Sequence, residues 1–134
     1  MQIFSKEWIA AFGEQLSQSP TYKQQAQTWE GTLLLVLNET NTPHDRAIWL
    51  DLWHGDCRQV REATVDDFST ADYVLSASLT NWQQILNKDI APLMAIMRGK
   101  LLLKKGSMAT LAKYTSAATA LVNVAADVPA TWDI

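Results

Sequence analysis

Residues 71–108 decide the predicted fold, and they read ADYVLSASLTNWQQILNKDIAPLMAIMRGKLLLKKGSM. The stretch opens with aromatic, β-branched and aliphatic residues, which predict a strand over 71–78. Thr80 and Gln83 then have the spacing of a capping box, in which two side chains satisfy backbone N–H groups of a first helical turn. A short helix is therefore predicted to run from Thr80 to Asn87.

The middle of this stretch predicts a second short helix. Pro92 suits a first helical turn because its missing N–H needs no partner there, and Gly99 suits the left-handed conformation that ends many helices. Residues 93–97 between them read LMAIM and are apolar on every side. A helix of that kind is expected to be buried.

The end of the stretch predicts a strand followed by the last helix of the chain. Residues 100–104 read KLLLK and predict the fifth strand, which Gly106 ends. Ser107 follows as a residue whose side chain can cap a helix. That helix is predicted to continue to about Ala126, and its alanine-rich faces fill little volume.

Upstream of this stretch, the sequence predicts one helix and three strands. The helix is predicted to cover residues 6–18, and the strands are predicted to cover residues 32–37, 47–53 and 57–62. Ser5 is the expected cap of the helix, and the first strand is apolar on both faces, as is typical of a central strand. The second strand alternates, so that Ile48 and Trp49 start opposite faces. Polar residues 21–28 and 38–45 are predicted to be connections, the former partly helical.

Composition limits the class of protein. The 134 residues fit one domain, 1–134, that is large enough to bury a core. Apolar residues make up 48% and charged residues 19%, which excludes extensive disorder. A net charge of −3 excludes nucleic acid as the main partner, because phosphate binding needs an excess of Lys and Arg.

Both ends of the sequence favour the cytoplasm as the expected location. Charged residues appear in residues 1–7 before any apolar run, so a signal peptide is not predicted. The longest strongly apolar run, residues 33–37, is too short to span a membrane. The terminal residues 131–134 (TWDI) match no peroxisomal or retention address.

The stretch from 71 to 108 resembles the type-two sterol carrier family. The matching pieces are Ala71-Asp72, Trp82 with Ile85 and Leu86, Met94 to Met97, Gly99-Lys100-Leu101 and Gly106-Ser107-Met108. The resemblance implies an α+β fold with a five-stranded, mostly antiparallel sheet covered by helices and an apolar tunnel between the two layers. It also implies non-catalytic binding, and transfer, of sterols, fatty acyl chains or phospholipids.

The chain departs from the family pattern in two places. The interval from Gly99 to Gly106 is one residue longer than is usual in the family, which predicts a bulge in the strand between them. The targeting tripeptide of peroxisomal family members is absent after residue 131, which argues against peroxisomal trafficking.

Seven apolar residues are expected to contact the ligand in the implied pocket. They are Leu35, Trp49, Trp82, Met94, Met97, Met108 and Leu111. The flexible methionine side chain suits apolar ligands of varied shape. Ordinary core packing explains each of these residues equally well when it is taken alone.

A basic segment supplies a second set of candidates. Its members are Arg98, Lys100, Lys104, Lys105 and Lys113, which are five of the 11 basic residues of the chain. One interpretation is transient contact with an anionic membrane surface. The other is a solvated edge strand whose lysines prevent pairing with another chain.

No catalytic site, metal site or cofactor is predicted. Asp51, His54 and Asp56 include metal-ligand types, but Asp51 and His54 would point to opposite faces of a strand, so a polar turn is favoured. His44 is expected to be a surface residue. Cys57 is the only cysteine, and nothing beyond its closeness to His54 suggests a nucleophile.

Two other functions stay open at this point. A small pocket enzyme resembling ketosteroid isomerases would need a carboxylate base and a Tyr or acid donor, and only Asp51 with Tyr73 offers that pair. The order of elements argues against it, because such enzymes usually place their helices before most of the sheet. The other alternative is a protein-interaction module with a filled core.

Overall fold

A computed structural model describes residues 1–38 and 46–133, in which the chain forms seven helices and five strands. The helices are α1 (Lys6–Ser17), α2 (Pro20–Gln25), α3 (Asp67–Thr70), α4 (Leu79–Leu86), α5 (Pro92–Met97), α6 (Met108–Lys113) and α7 (Thr115–Asp127). The strands are β1 (Glu30–Asn38), β2 (Arg46–Trp53), β3 (Asp56–Glu62), β4 (Tyr73–Ser78) and β5 (Leu102–Lys105). The predicted connection 38–45, with His44, lies outside the described residues except for residue 38. Within the described ranges, no helix combines the length and apolar character that a membrane span requires.

The strands form one sheet in the order β3-β2-β1-β4-β5. The central strand β1 is antiparallel to β2 and parallel to β4, so that Leu33 pairs with Leu50 on one side and with Tyr73 on the other. The β2–β3 and β4–β5 pairs are antiparallel. The predicted α+β fold with a five-stranded, mostly antiparallel sheet is confirmed.

The edge strand β5 contains the irregularity that the long interval between Gly99 and Gly106 predicts. The pairing of β4 with β5 changes register between Val74–Lys105 and Leu75–Leu103, which leaves Lys104 as the extra residue. A bulge of this kind twists an edge strand and makes it a poorer template for another chain.

The main core lies between one face of the sheet, here called the inner face, and the helices. This face carries apolar residues at alternate positions of β1 and β2: Leu33, Leu35, Leu37, Ile48, Leu50 and Leu52. Helix α1 covers β3, where a Cβ atom at Gly13 would collide with the Val60 side chain. The glycine that lowers helix propensity in α1 therefore permits close contact with the sheet.

The outer face of the sheet buries a second, smaller cluster of Leu34, Val36, Ala71 and Val74. Trp49 packs against this cluster, and the Arg61 guanidinium lies 4.1 Å from the centre of the Trp49 ring. Both faces of β1 are therefore buried, as its apolar sequence predicts.

The arginine of this outer cluster also fixes a buried carboxylate. Arg61 donates to both oxygens of Asp67, at 2.7 and 3.1 Å, and Thr64 donates from its backbone N–H and its hydroxyl. The hydrogen bonds from Arg61, followed by those from Thr64, hold the pKa of Asp67 at about 2, below its ordinary value of 3.8. The loop between β3 and β4 is thus tied to the outer face.

Two predicted helix boundaries are wrong. Ser78, not Thr80, caps α4, because the Ser78 hydroxyl accepts from the backbone N–H of Asn81 at 3.2 Å. The single predicted C-terminal helix is two helices, α6 and α7, separated at Tyr114 (φ −111°, ψ 29°). The Ser107 cap itself is confirmed, since its hydroxyl accepts from the backbone N–H of Thr110.

The prediction that the apolar helix over 93–97 is buried is also wrong. Of the residues in α5, Pro92 and Ala95 are buried, whereas Met94 is 41% exposed and Met97 is 68% exposed. Helix α5 is only six residues long and packs one face against α7. The opposite face therefore keeps its methionines in solvent.

Candidate ligand-binding site

A cavity of about 80 Å³ lies between the inner face of the sheet and the helices. The sheet contributes Leu33, Leu35 and Leu75 to its lining, and the helices contribute Ile85 and Leu121. Its lining is almost entirely apolar, and no charged side chain among the described residues contributes to it. Such a space suits hydrocarbon, because burying apolar surface is favourable and a polar ligand would lose its hydration.

The Trp29 indole forms an aromatic wall of the cavity. Its ring lies 5.0 Å from that of Tyr73 and 4.9 Å from that of Tyr114, the latter in an edge-on arrangement. Its Nε1 donates to the carbonyl oxygen of Gly31 at 3.2 Å. Tyr114 in turn donates its hydroxyl to the carbonyl oxygen of Thr28 at 3.0 Å. These contacts hold the connection before β1, which contains Thr28 and Trp29, against the break between α6 and α7 at Tyr114.

The Trp82 indole on α4 forms a second wall. Its Nε1 donates to the carbonyl oxygen of Val36 at 2.8 Å, in a buried bond that fixes the ring against β1. Phe4 packs beside it, with ring centres 5.5 Å apart. With its polar atom satisfied, the ring presents only apolar surface to the cavity.

The C-terminal helices close the cavity with small residues. Ala117 and Ala118 of α7 line it, as does Leu111 of α6. No residue of α6 is fully buried, and Leu111 is only half-buried. Alanine at these positions leaves volume that a larger side chain would fill.

Three of the seven residues expected in the pocket line this cavity: Leu35, Trp82 and Leu111. Trp49 lies on the outer face, so its placement in the pocket is corrected. The reason is the alternation of β2, which directs Ile48 inward and its neighbour outward. Met94 and Met97 are exposed on α5, and half-buried Met108 at the start of α6 is not part of the lining.

Sequence reasoning missed Tyr22, Trp29 and Tyr114 in the lining. A signal for Tyr22 was present, because Ser19 and Pro20 form the N-cap and first residue of a helix, and Ser19 accepts from the Tyr22 N–H at 3.2 Å. Burial raises the pKa of the Tyr22 phenol above its ordinary value, and the nearby Cys57 adds to that shift. The phenol therefore stays protonated at neutral pH.

Cys57 is half-buried beside this part of the core. Burial, followed by the negative charge of Asp51, raises the pKa of its thiol to about 11. The thiolate, which is the reactive form, is therefore a very small fraction of Cys57 at neutral pH.

The two residues of the isomerase alternative do not face the apolar cavity. Both oxygens of Asp51 accept from Arg58, at 2.9 and 3.2 Å, on the outer side of β2. Tyr73 packs on Trp29, and both Asp51 and Tyr73 border an open polar groove on the surface. An isomerase of this kind needs its carboxylate base to face the apolar pocket. Asp51 is instead paired with the Arg58 guanidinium and does not line the cavity.

The basic segment runs from the residue after α5 through β5 to the last residue of α6. Arg98, Lys104 and Lys113 are exposed. Lys100 donates to the side chain of Gln84 at 2.8 Å, and Lys105 donates to the carbonyl oxygen of Ser69 at 2.7 Å.

Comparison with known proteins identifies the family. No curated protein matches the sequence. The chain is similar to a crystal structure of sterol carrier protein 2, at 40% identity over 96% of this chain and 100% of that chain, with a TM-score of 0.86. It is equally similar to a conserved hypothetical protein from Thermus thermophilus, at 40% identity over 98% of this chain and 92% of that one, with a TM-score of 0.85.

A more distant structure, palmitated SCP2L2 from Aedes aegypti, shares the fold at 18% identity and a TM-score of 0.56, over 88% of this chain and 95% of that one. The model of the SCP-2 sterol transfer family matches residues 10–119 of this chain. That match covers both walls of the cavity and all five strands. The chain belongs to the SCP-2 sterol transfer family.

Proposed function

We propose that this protein binds an apolar, lipid-like ligand in the cavity between the inner face of the sheet and the helices, without covalent chemistry. Membership of the SCP-2 sterol transfer family supports lipid binding or transfer and points to a non-enzymatic carrier. The observation that carries the proposal is the almost wholly apolar lining of the cavity beside Trp29 and Trp82.

The ligand enlarges the space that it enters. A cavity of about 80 Å³ is smaller than the roughly 300–1,000 Å³ of most small-molecule pockets. Helix α6 borders the cavity through Leu111 and is the one helix of the described residues in which no residue is fully buried, so its displacement uncovers little core. Ligand binding therefore moves α6 outward, and the Leu111 side chain then contacts the hydrocarbon of the ligand where it previously bordered empty space.

Tryptophan fluorescence tests this proposal. Palmitate is a suitable first probe because a structure with the same fold is palmitated. Titration should change the emission with saturation, and Trp29→Phe should reduce that change because Trp29 is one of the two tryptophans that line the cavity. Trp49→Phe is the matched control, since Trp49 lies on the outer face. Equal signals from the two variants, or a flat titration with palmitate, sterol and phospholipid alike, would count against the proposal.

We also propose that the basic segment contacts anionic membranes. Residues 98–113 hold five of the 11 basic residues of the chain and none of its 14 acidic residues. This asymmetry in an acidic protein supports attraction to anionic headgroups, at about 1 kcal/mol per basic residue near the surface. Exposed Met97 beside Arg98 adds apolar surface to the same region.

Vesicle binding tests the membrane contact. Binding to vesicles of phosphatidylserine and phosphatidylcholine should weaken as salt rises, because surface charges are screened beyond about 8 Å at physiological ionic strength. Arg98→Glu with Lys104→Glu should weaken it further, whereas Lys6→Glu with Lys23→Glu, which makes the same charge change elsewhere, should not. Equal losses from the two double variants would assign the effect to net charge alone.

A further inference from the structure

Helix α5 carries two exposed methionines on one face. Of the seven large apolar side chains that are exposed among the described residues, two belong to this six-residue helix, Met94 and Met97. Residues three positions apart share a face of a helix, so the two side chains form one patch. The flexible thioether side chain of methionine suits contact with an apolar surface of irregular shape.

The charges around this methionine face are complementary to an anionic surface. Arg98 follows Met97 directly and is exposed, and Lys100 is half-buried two residues later. The acidic residue nearest to α5 in the sequence, Asp89, is adjacent to Lys88. An apolar helix face flanked by cations is typical of helices that lie in the interface of an anionic bilayer, where the cations contact headgroups and the apolar face contacts acyl chains.

The opposite face of the same helix closes the cavity. Pro92 is buried and lines the cavity, and so does Leu101, which follows the end of α5 by four residues. The backbone N–H groups of Lys100 and Leu101 both donate to the carbonyl oxygen of Ala95, at 2.9 and 3.1 Å, so the chain after α5 folds back onto the helix. A helix with its side chains is about 10 Å wide. The methionine face is therefore only about one helix width from the apolar space.

We infer that an anionic bilayer covers the methionine face of α5, and that the ligand is exchanged between bilayer and cavity while the protein is bound through this face. The inference rests on the proposed function, because it uses the same cavity and the same class of ligand. It adds the surface that enters the bilayer, which the basic segment alone does not specify, and the step at which the ligand is transferred.

A pair of double variants tests the docking surface. Met94→Gln with Met97→Gln should bind vesicles of phosphatidylserine and phosphatidylcholine roughly tenfold more weakly than the wild type, because two apolar side chains are lost from the interface. The matched control is Val65→Gln with Phe68→Gln, which removes the same number of exposed apolar side chains beside and on α3. The control should bind the vesicles as the wild type does.

Transfer of palmitate from the protein to the same vesicles, followed by tryptophan emission in a stopped-flow instrument, tests the exchange step. The wild-type rate should rise with vesicle concentration, because the ligand leaves while the protein is on the bilayer. The methionine variant should transfer palmitate roughly tenfold more slowly at vesicle concentrations far below saturation, in proportion to its weaker binding. Its affinity for palmitate without vesicles and its Tm should stay unchanged, since both methionines are exposed and neither lines the cavity.

Equal vesicle binding by the two double variants, or a wild-type transfer rate that is independent of vesicle concentration, would overturn the inference and leave ligand binding in the cavity intact. Dimerisation of the wild type that the methionine variant lacks would assign the methionine face to a second copy of the chain, and would overturn it as well. Absence of palmitate binding without vesicles would refute the proposed function itself, and the exchange step with it.

Discussion

Leu111→Trp should leave the protein folded while removing its ligand binding. Leu111 is half-buried and lines the cavity of about 80 Å³, on a helix with no fully buried residue. Adding volume to a filled core typically costs about 1–3 kcal/mol. Here the larger ring occupies existing space, so the loss should stay below about 1 kcal/mol, or roughly 4 °C in Tm for a domain of this size.

Two assays test the Leu111→Trp variant. Denaturant unfolding measures the stability, and titration with 1-octanol measures the affinity, which should fall by more than about tenfold because the ring takes the place of the ligand. Leu37→Trp is the control, because Leu37 is fully buried on the inner face but does not line the cavity. It should lose about 1–3 kcal/mol. A Leu111→Trp protein as unstable as the control, or one that binds octanol normally, would refute the reasoning.

Two further predictions concern the scaffold. Ser78→Ala should lower the free energy of unfolding by about 1 kcal/mol because Ser78 caps α4, whereas Thr80→Ala should leave urea unfolding nearly unchanged. The pKa of Asp67 is lowered from 3.8 to about 2 in the folded protein, so ionised Asp67 should contribute roughly 2 kcal/mol to the free energy of unfolding. This contribution should be present above pH 4 and should be lost as the pH falls from about 4 to about 2. Asp67→Asn should remove that pH dependence and exposed Asp66→Asn should keep it; identical acid unfolding of the two variants would contradict the assignment.

The sheet and most element boundaries could be predicted from the sequence because local patterns determine them. The alternation of β2 and the doubly apolar β1 correctly indicated which residues face each side. Applied consistently, the same alternation would have excluded Trp49 from a pocket that contains Leu35, because its neighbour Ile48 is on the inner face. The resemblance supplied the topology, which periodicity alone does not determine.

The remaining features depend on contacts between distant segments. The break at Tyr114 accompanies contacts with Thr28 and Trp29, which lie more than eighty residues earlier. The exposure of Met97 depends on which face of α5 meets α7, and a helix that is apolar all round gives no signal for that choice.

The location of the bound ligand tests the central claim most directly. Methyl-labelled protein titrated with 1-octanol should show saturable shifts in the methyl NMR signals of Leu33, Leu75 and Leu121, which line the cavity. The methyl signals of Leu34 and Val74 on the outer face should stay in place. Shifts confined to the outer face, or no saturable shift at any methyl group, would contradict the account.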